Sequence, residues 1–278
     1  MLERTTHLNA VVTYQSPLLR GLKVAHAFST RIGGVSPAPF DSLNLGNPSG
    51  CDTQDPDPNL VENYRRLQTA IGLANAPRAW VRQVHGRMVE LLEHEPENEY
   101  SETLEAEIRD RFSGQLAADA LVTPEPNVLL TIRVADCVPI LIASSDGKIV
   151  AAAHAGWRGI IGNVIEKTVR TLHEAGAVPS SLVAAIGPCI SLENFEVGEE
   201  VAAEFLQHDL ASCVRTQPGR KPHVDLQLAA KTQLERGGLS QIDTHALCTF
   251  RDSADFFSHR RDQGTTGRMA AVIARRSI

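Results

Sequence analysis

Four short runs of nearly unbroken apolar residues crowd the middle of the chain: Ala120–Thr123, Val128–Val134, Val138–Ser144 and Ile149–Ala153. They are punctuated by Pro124-Glu-Pro-Asn127 and Ser145-Asp-Gly147. A strand with one face in water alternates apolar and polar residues; these do not, so each must be covered on both faces. Leu182–Ile186 and the closing Met269–Ala274 read the same way, and Ala10–Tyr14 and Val24–Ser29 supply two earlier strands separated by a Gly-containing turn. Helices supply the cover. Apolar residues fall at helical spacing over Asn59–Leu73, and Ile160 to Leu172 mark one helix of about four turns ended at Gly176. Val197–Leu210 and Leu226–Glu235 read as two more. Strands interleaved with helices, without repeat or linker, give an α/β fold in a single domain spanning residues 1–278.

The charge balance narrows the partners. Lys and Arg total 27 against 33 Asp and Glu, a net charge of −6, which offers nucleic acid or an anionic membrane no electrostatic foothold. No apolar run approaches the ~20 residues of a membrane span. The amino end lacks the basic start and apolar core of a signal peptide. Five cysteines, odd in number and irregularly spaced, do not form a disulfide framework, so a cytoplasmic location is expected. Between residues 93 and 115 the composition turns acidic, and this stretch reads as a solvated surface insertion with one short helix over Leu104–Phe112. Thr30–Gly46, rich in Gly, Pro and Ser, is a long loop that carries Arg31 and Asn44.

Three residues at strand ends carry the chemistry. His85 closes Trp80-Val-Arg-Gln-Val-His85-Gly86, Cys137 sits between two apolar runs in Ala135-Asp-Cys137-Val-Pro-Ile140, and His154 ends a small-residue strand. A thiolate with two imidazoles suits zinc, and three protein ligands leave one position open, as in catalytic rather than structural sites. Such a centre makes hydroxide available near neutral pH or polarises a substrate oxygen. The same set admits copper, and without metal Cys137 is a nucleophile with a histidine as its base. Each of the three residues, taken singly, is also compatible with an ordinary packed core position.

Anion binding is the second theme. Gly156-Trp-Arg158-Gly159 opens a helix beside His154, placing free N–H groups and Arg158 next to it. Arg260, Arg261 and Arg268 lie among glycines and threonines near the carboxy end, a second place for a phosphate.

Together these motifs resemble the YfiH family. The carriers are Thr30-Arg31-Ile-Gly33-Gly34-Val-Ser36, Ser42-Leu-Asn44-Leu-Gly46, Gln83-Val-His85-Gly86, Ala118-Asp119-Ala-Leu-Val-Thr123, Ala135-Asp-Cys137, His154-Ala-Gly-Trp-Arg-Gly159, Ile186-Gly-Pro-Cys189-Ile190 and Phe256-Phe-Ser-His-Arg260-Arg261. The resemblance runs from about residue 24 to the carboxy end. It implies an α/β fold of mixed β-sheets flanked by helices, similar to certain cysteine-hydrolase-like proteins. It also implies a zinc site on His85, Cys137 and His154, which are then the catalytic residues too. The activity implied is phosphorolysis of adenosine, inosine and guanosine, with methylthioadenosine for some members, and adenosine deamination. A copper-dependent polyphenol oxidase and a peptidoglycan-precursor editing factor are the alternatives the family brings. Purine nucleosides and phosphate are the expected partners of a monomer or small homo-oligomer. Arg31, Arg158 and Arg260 are expected to hold phosphate, Asn44 and Gln83 to read the purine or ribose, and Asp136 to shuttle protons or orient a ligand. The acidic stretch at 93–115 is longer than the family's usual join.

Overall fold

The computed structural model describes residues 1–94 and 103–277; the acidic residues 95–102 of the expected insertion lie outside them. Seven strands form one sheet, side by side in the order Glu3–Thr6, Val12–Gln15, Ala25–Ser29, Met269–Ala274, Leu129–Val134, Arg78–Arg82 and Ser113–Ala117. Six form a second, in the order Gln241–Asp243, Val183–Ile186, Val138–Ala143, Val150–Ala155, Ala120–Thr123 and Val89–Leu91. Both sheets mix parallel and antiparallel pairs.

The period-two geometry of a strand explains why the central strands carry apolar residues on both faces. Leu130, Ile132, Ala271 and Ile273 of the first sheet share one apolar layer with Leu141, Val150 and Ala152 of the second, so the sheets pack face to face. The intervening residues point outward into two further layers. Ile140, Ile142, Ala151 and Ala153 lie under the helices Val164–Glu174, Glu199–Gln207 and Leu226–Arg236. Leu129, Ala270, Val272 and Ala274 lie under Leu43 and Leu45 of the long loop and Tyr64 and Leu67 of the helix Asp57–Ala70. Fully burying one such Leu, Ile or Val contributes about 1.5–3 kcal/mol, which is why the central strands tolerate so little polarity.

Two expectations are corrected here. The helix expected over Ile160–Leu172 is two helices, Trp157–Ile161 and Val164–Glu174, because Asn163 adopts a left-handed φ of 61° between them; asparagine is among the few side chains that visit that region readily. The described part of the acidic stretch is not simply a solvated insertion. Its helix, Leu104–Arg111, is capped by Thr103 and buries Ile108 and the following Phe112 in the layer between the sheets. Ser113–Ala117 then pairs in parallel with Arg78–Arg82 as a sheet edge. The hairpin Val214–Gln217 and Arg220–Val224 lacks apolar runs and was not legible as strand.

The topology also sets the site. Val138–Ala143 and Val150–Ala155 pair antiparallel with His154 opposite Pro139, so Cys137 and His154 emerge at the same end. The loop after Arg78–Arg82 reaches that end from the other sheet and delivers His85.

Candidate active site and metal centre

His85, Cys137 and His154 converge, with their potential ligand atoms within 4.8 Å of one another. The two imidazoles meet edge to face, 4.9 Å between ring centres. His154 is buried, Cys137 half-buried and His85 exposed, so the cluster opens to one side. Gly156 keeps that space clear: a Cβ there would sit 3.1 Å from both Cys137 Sγ and His85 Cδ2.

Asp119, fully buried just ahead of Ala120–Thr123, holds both histidines. Its Oδ1 accepts from His154 Nδ1 at 2.8 Å and from the His85 backbone N–H at 3.0 Å. Its Oδ2 accepts from the Gly86 N–H at 2.6 Å. With Nδ1 committed to the carboxylate, His154 has Nε2 left to act as a ligand. His85 itself has a φ of 57° and Asp136 one of 91°. Such conformations cost about 1–3 kcal/mol each and persist where surrounding bonds over-determine them. For His85 the bond is to Asp119. For Asp136, Thr249 Oγ1 and the Arg260 N–H donate to its carboxylate at 2.6 and 2.7 Å, and the Ile190 N–H to its carbonyl. Both Asp136 oxygens are thus engaged in holding loops together.

Burial pushes the Cys137 thiol up, but the charges and hydrogen bonds of His154 and His85 outweigh it and bring the pKa down to about 6. Burial likewise disfavours the His154 imidazolium, while Cys137 and Asp119 raise it to about 9. A thiolate with two imidazoles, one oriented by a buried carboxylate, is a donor set that fits zinc, with the fourth position open to the cleft. It is the one group of three or more such side chains found close together among the described residues.

The cluster lies in a cleft of about 780 Å³. Arg82, Arg133, Arg158, Lys221, Arg260 and Arg268 line it, against the carboxylates of Asp136 and Glu196. Arg158 lies over the Trp157 ring and Arg260 over Phe195, whose side chains also line the cleft.

The other residues expected to touch substrate are placed differently. Arg31 is outside the cleft: its guanidinium donates to Asp41 O and Ser253 O, pairs with the Asp41 carboxylate at 3.1 Å and covers Phe257. Asn44 is fully buried, its amide bonded to Asp55 and its Oδ1 to the Gly46 and Arg268 N–H groups. Gln83 lines the cleft, but both ends of its carboxamide hold the Arg133 peptide. Arg261 is committed to Asp262 and to the carbonyls of Thr249, Phe250 and Phe256. Sequence reasoning missed Arg133 and the part played by Asp119. Arg133 had a signal, being the lone charge in the apolar run Val128–Val134.

Fold and cleft define a class: two mixed sheets stacked between helical layers, with a His/Cys/His donor set opening into a cationic cleft. A family model described as multi-copper polyphenol oxidoreductase laccase matches residues 25–276, and the chain belongs to this family, the YfiH family of the sequence resemblance. A Deinococcus radiodurans protein named purine nucleoside phosphorylase is 41% identical over 92% of this chain and 92% of its own. Escherichia coli purine nucleoside phosphorylase YfiH is 39% identical over 96% and 99%. Among solved structures, YlmD from Geobacillus stearothermophilus superposes with a TM-score of 0.80 at 30% identity, covering 96% of each chain. A Neisseria meningitidis protein gives 0.77 at 32%, covering 91% of this chain and 95% of that one. No described helix is long and apolar enough to cross a membrane.

Proposed function

We propose that the chain is a zinc-dependent purine nucleoside phosphorylase that takes adenosine, inosine, guanosine and methylthioadenosine, with adenosine deamination as a second activity of the same cleft. The observation that carries the reading is the cation excess around the donor set. A deaminase or a phenol oxidase needs no anionic co-substrate; a phosphorylase does. The names of the relatives point the same way.

In phosphorolysis a phosphate oxygen forms a bond to C1′ of the ribose while the C1′–N9 bond breaks, and the purine leaves with the electron pair and takes a proton. The cleft arginines hold the phosphate charge and Trp157 and Phe195 offer apolar faces to the nucleoside. Asp119 keeps His154 in one tautomer and orientation. Zinc on His85, Cys137 and His154 would supply Lewis acidity toward a substrate oxygen. A copper oxidase of the multi-copper type would need further donor clusters, and the described residues provide one.

The test is chromatographic detection of free base from adenosine and inosine, with and without phosphate, beside Cys137→Ala and a chelated sample. Phosphate-dependent base, lost in both controls, is expected, and inosine from adenosine without phosphate would report the deaminase. If the folded, zinc-loaded protein releases neither base nor ammonia, the nucleoside reading is wrong.

A further inference from the structure

We propose that Arg133 and Arg268 form one oxyanion-binding site in the cleft, built to take inorganic phosphate or a phosphoryl group and held in place by Gln83 and Asn44. This deepens the phosphorolytic reading, on which only the identity of the anion depends.

Among the described residues neither guanidinium has a carboxylate within ion-pairing distance, unlike those of Arg31, Arg251 and Arg261. Arg133 extends along the face of Trp80, 4.6 Å from the ring centre, and its side-chain N–H groups have no hydrogen-bond acceptor among the described residues. Glycine at position 46 leaves it room, since a Cβ there would lie 2.8 Å from Arg133 Cδ. Among the described residues Arg268 is held through Nη1, which donates to Thr266 O and Gly267 O at 2.9 and 3.0 Å, and its Nε and Nη2 have no acceptor there. Both side chains line the cleft that holds Cys137. Burial, and next the charge of Arg133, lower the pKa of Arg268. The negative charges of Asp136 and Cys137 offset this only in part, and two like charges with no carboxylate in ion-pairing contact favour a divalent anion between them.

The backbone beneath them is clamped with matching care. Gln83 Nε2 donates to Arg133 O at 2.7 Å, and Gln83 Oε1 accepts from Arg133 N at 2.8 Å. Asn44 Oδ1 accepts from Arg268 N at 2.9 Å, and the Leu45 N–H donates to Arg268 O at 2.9 Å. Asn44 is itself anchored by Asp55. A fork of N–H donors binds phosphate well only when its direction is fixed, and these contacts fix the chain from which each fork departs.

The test uses the full-length, zinc-loaded protein and equilibrium dialysis against radiolabelled inorganic phosphate. Arg133→Gln and Arg268→Gln should weaken phosphate binding by about 10- to 100-fold, the loss of a charge-assisted pair. Arg133→Lys, which keeps the charge but not the fork, should fall between. Bound zinc and the melting temperature report folding. Folded variants that hold phosphate as the wild type does would overturn the assignment. So would a wild type that retains neither phosphate nor adenosine 5′-monophosphate more tightly than adenosine. Preference for the monophosphate without binding of free phosphate, lost in the glutamine variants, would assign the pair to a phosphoryl group carried by the substrate. Phosphate binding that depends on both arginines, in a protein that releases no base, would overturn phosphorolysis and leave the anion site standing.

Discussion

Replacing Asp119 by asparagine tests how the metal centre is organised. The carboxylate accepts from the N–H groups of Gly86, His85 and Val84 at 2.6, 3.0 and 3.4 Å and from His154 Nδ1 at 2.8 Å. Asparagine keeps the shape but has one acceptor oxygen, and its NH₂ must face donors on one side. Turned toward His154, the NH₂ forces the ring proton onto Nε2 and removes the lone pair a metal needs. Turned toward Gly86, it opposes that N–H and loosens the bend that holds His85 at positive φ. Either way about two hydrogen bonds to an ionised acceptor are lost, at roughly 1.5–3 kcal/mol each, so the metal-free protein should be destabilised by about 3–6 kcal/mol. Loss of a ligand's supporting carboxylate typically weakens metal binding ~10- to 100-fold. Competition for zinc against a chromophoric chelator measures the second quantity and urea unfolding of the chelated protein the first. An Asp119→Asn protein that holds zinc within a factor of about two of wild type, with an unchanged unfolding midpoint, would refute the argument.

Two further outcomes follow from the geometry. His26 is buried and neutral, its Nε2 accepting from the Ser16 N–H at 2.9 Å, and burial lowers its pKa to about 4. The unfolded chain takes up that proton near pH 6.5 and the native chain does not, so stability is full above pH 6.5 and falls by about 3 kcal/mol as the pH drops to 4; thermal melts of His26→Gln should show a flatter slope in that window. Gly156→Ala places a methyl against Cys137 Sγ and His85 Cδ2. It should reduce zinc affinity by about tenfold, an expectation scaled from the loss of supporting contacts around a metal ligand, and leave far-ultraviolet circular dichroism unchanged.

The parts legible in the sequence are those written in local pattern. The strands Leu129–Val134 and Met269–Ala274 announce themselves because each is buried on both faces. The short edge strands Glu3–Thr6 and Val89–Leu91 carry no such pattern, since their pairing rather than their composition makes them strands. His85, Cys137 and His154 stood out by chemical type at strand ends, and the paired strands bring two of them together. Asn44 and Gln83 were harder. Their type, a carboxamide in a functional stretch, suits a base as well as a peptide, and the peptides they hold lie 224 and 50 positions away in the sequence. The placement of Arg31 was hidden for a similar reason: a loop arginine shows its charge in the sequence but not Asp41 folded back beside it.

That the cleft arginines are held by carboxamides rather than carboxylates bears on function. Asp or Glu would position an arginine at least as firmly, through a charge-assisted fork to the guanidinium. It would also neutralise the cation and compete with any incoming anion. Gln83 and Asn44 instead grip the peptides of Arg133 and Arg268 and leave their charge unspent. The long loop over residues 30–46 therefore acts on the site without entering it. Asp55 and Asn63 anchor it from below, Asn63 through Ser36, Ser42 and Asn44. In a protein whose net charge is −6, a cleft whose cations outnumber its carboxylates concentrates positive potential where the field is least screened by water. An anion drawn there finds the donors already aimed, and the cost of aiming them has been met in the folding of the loop.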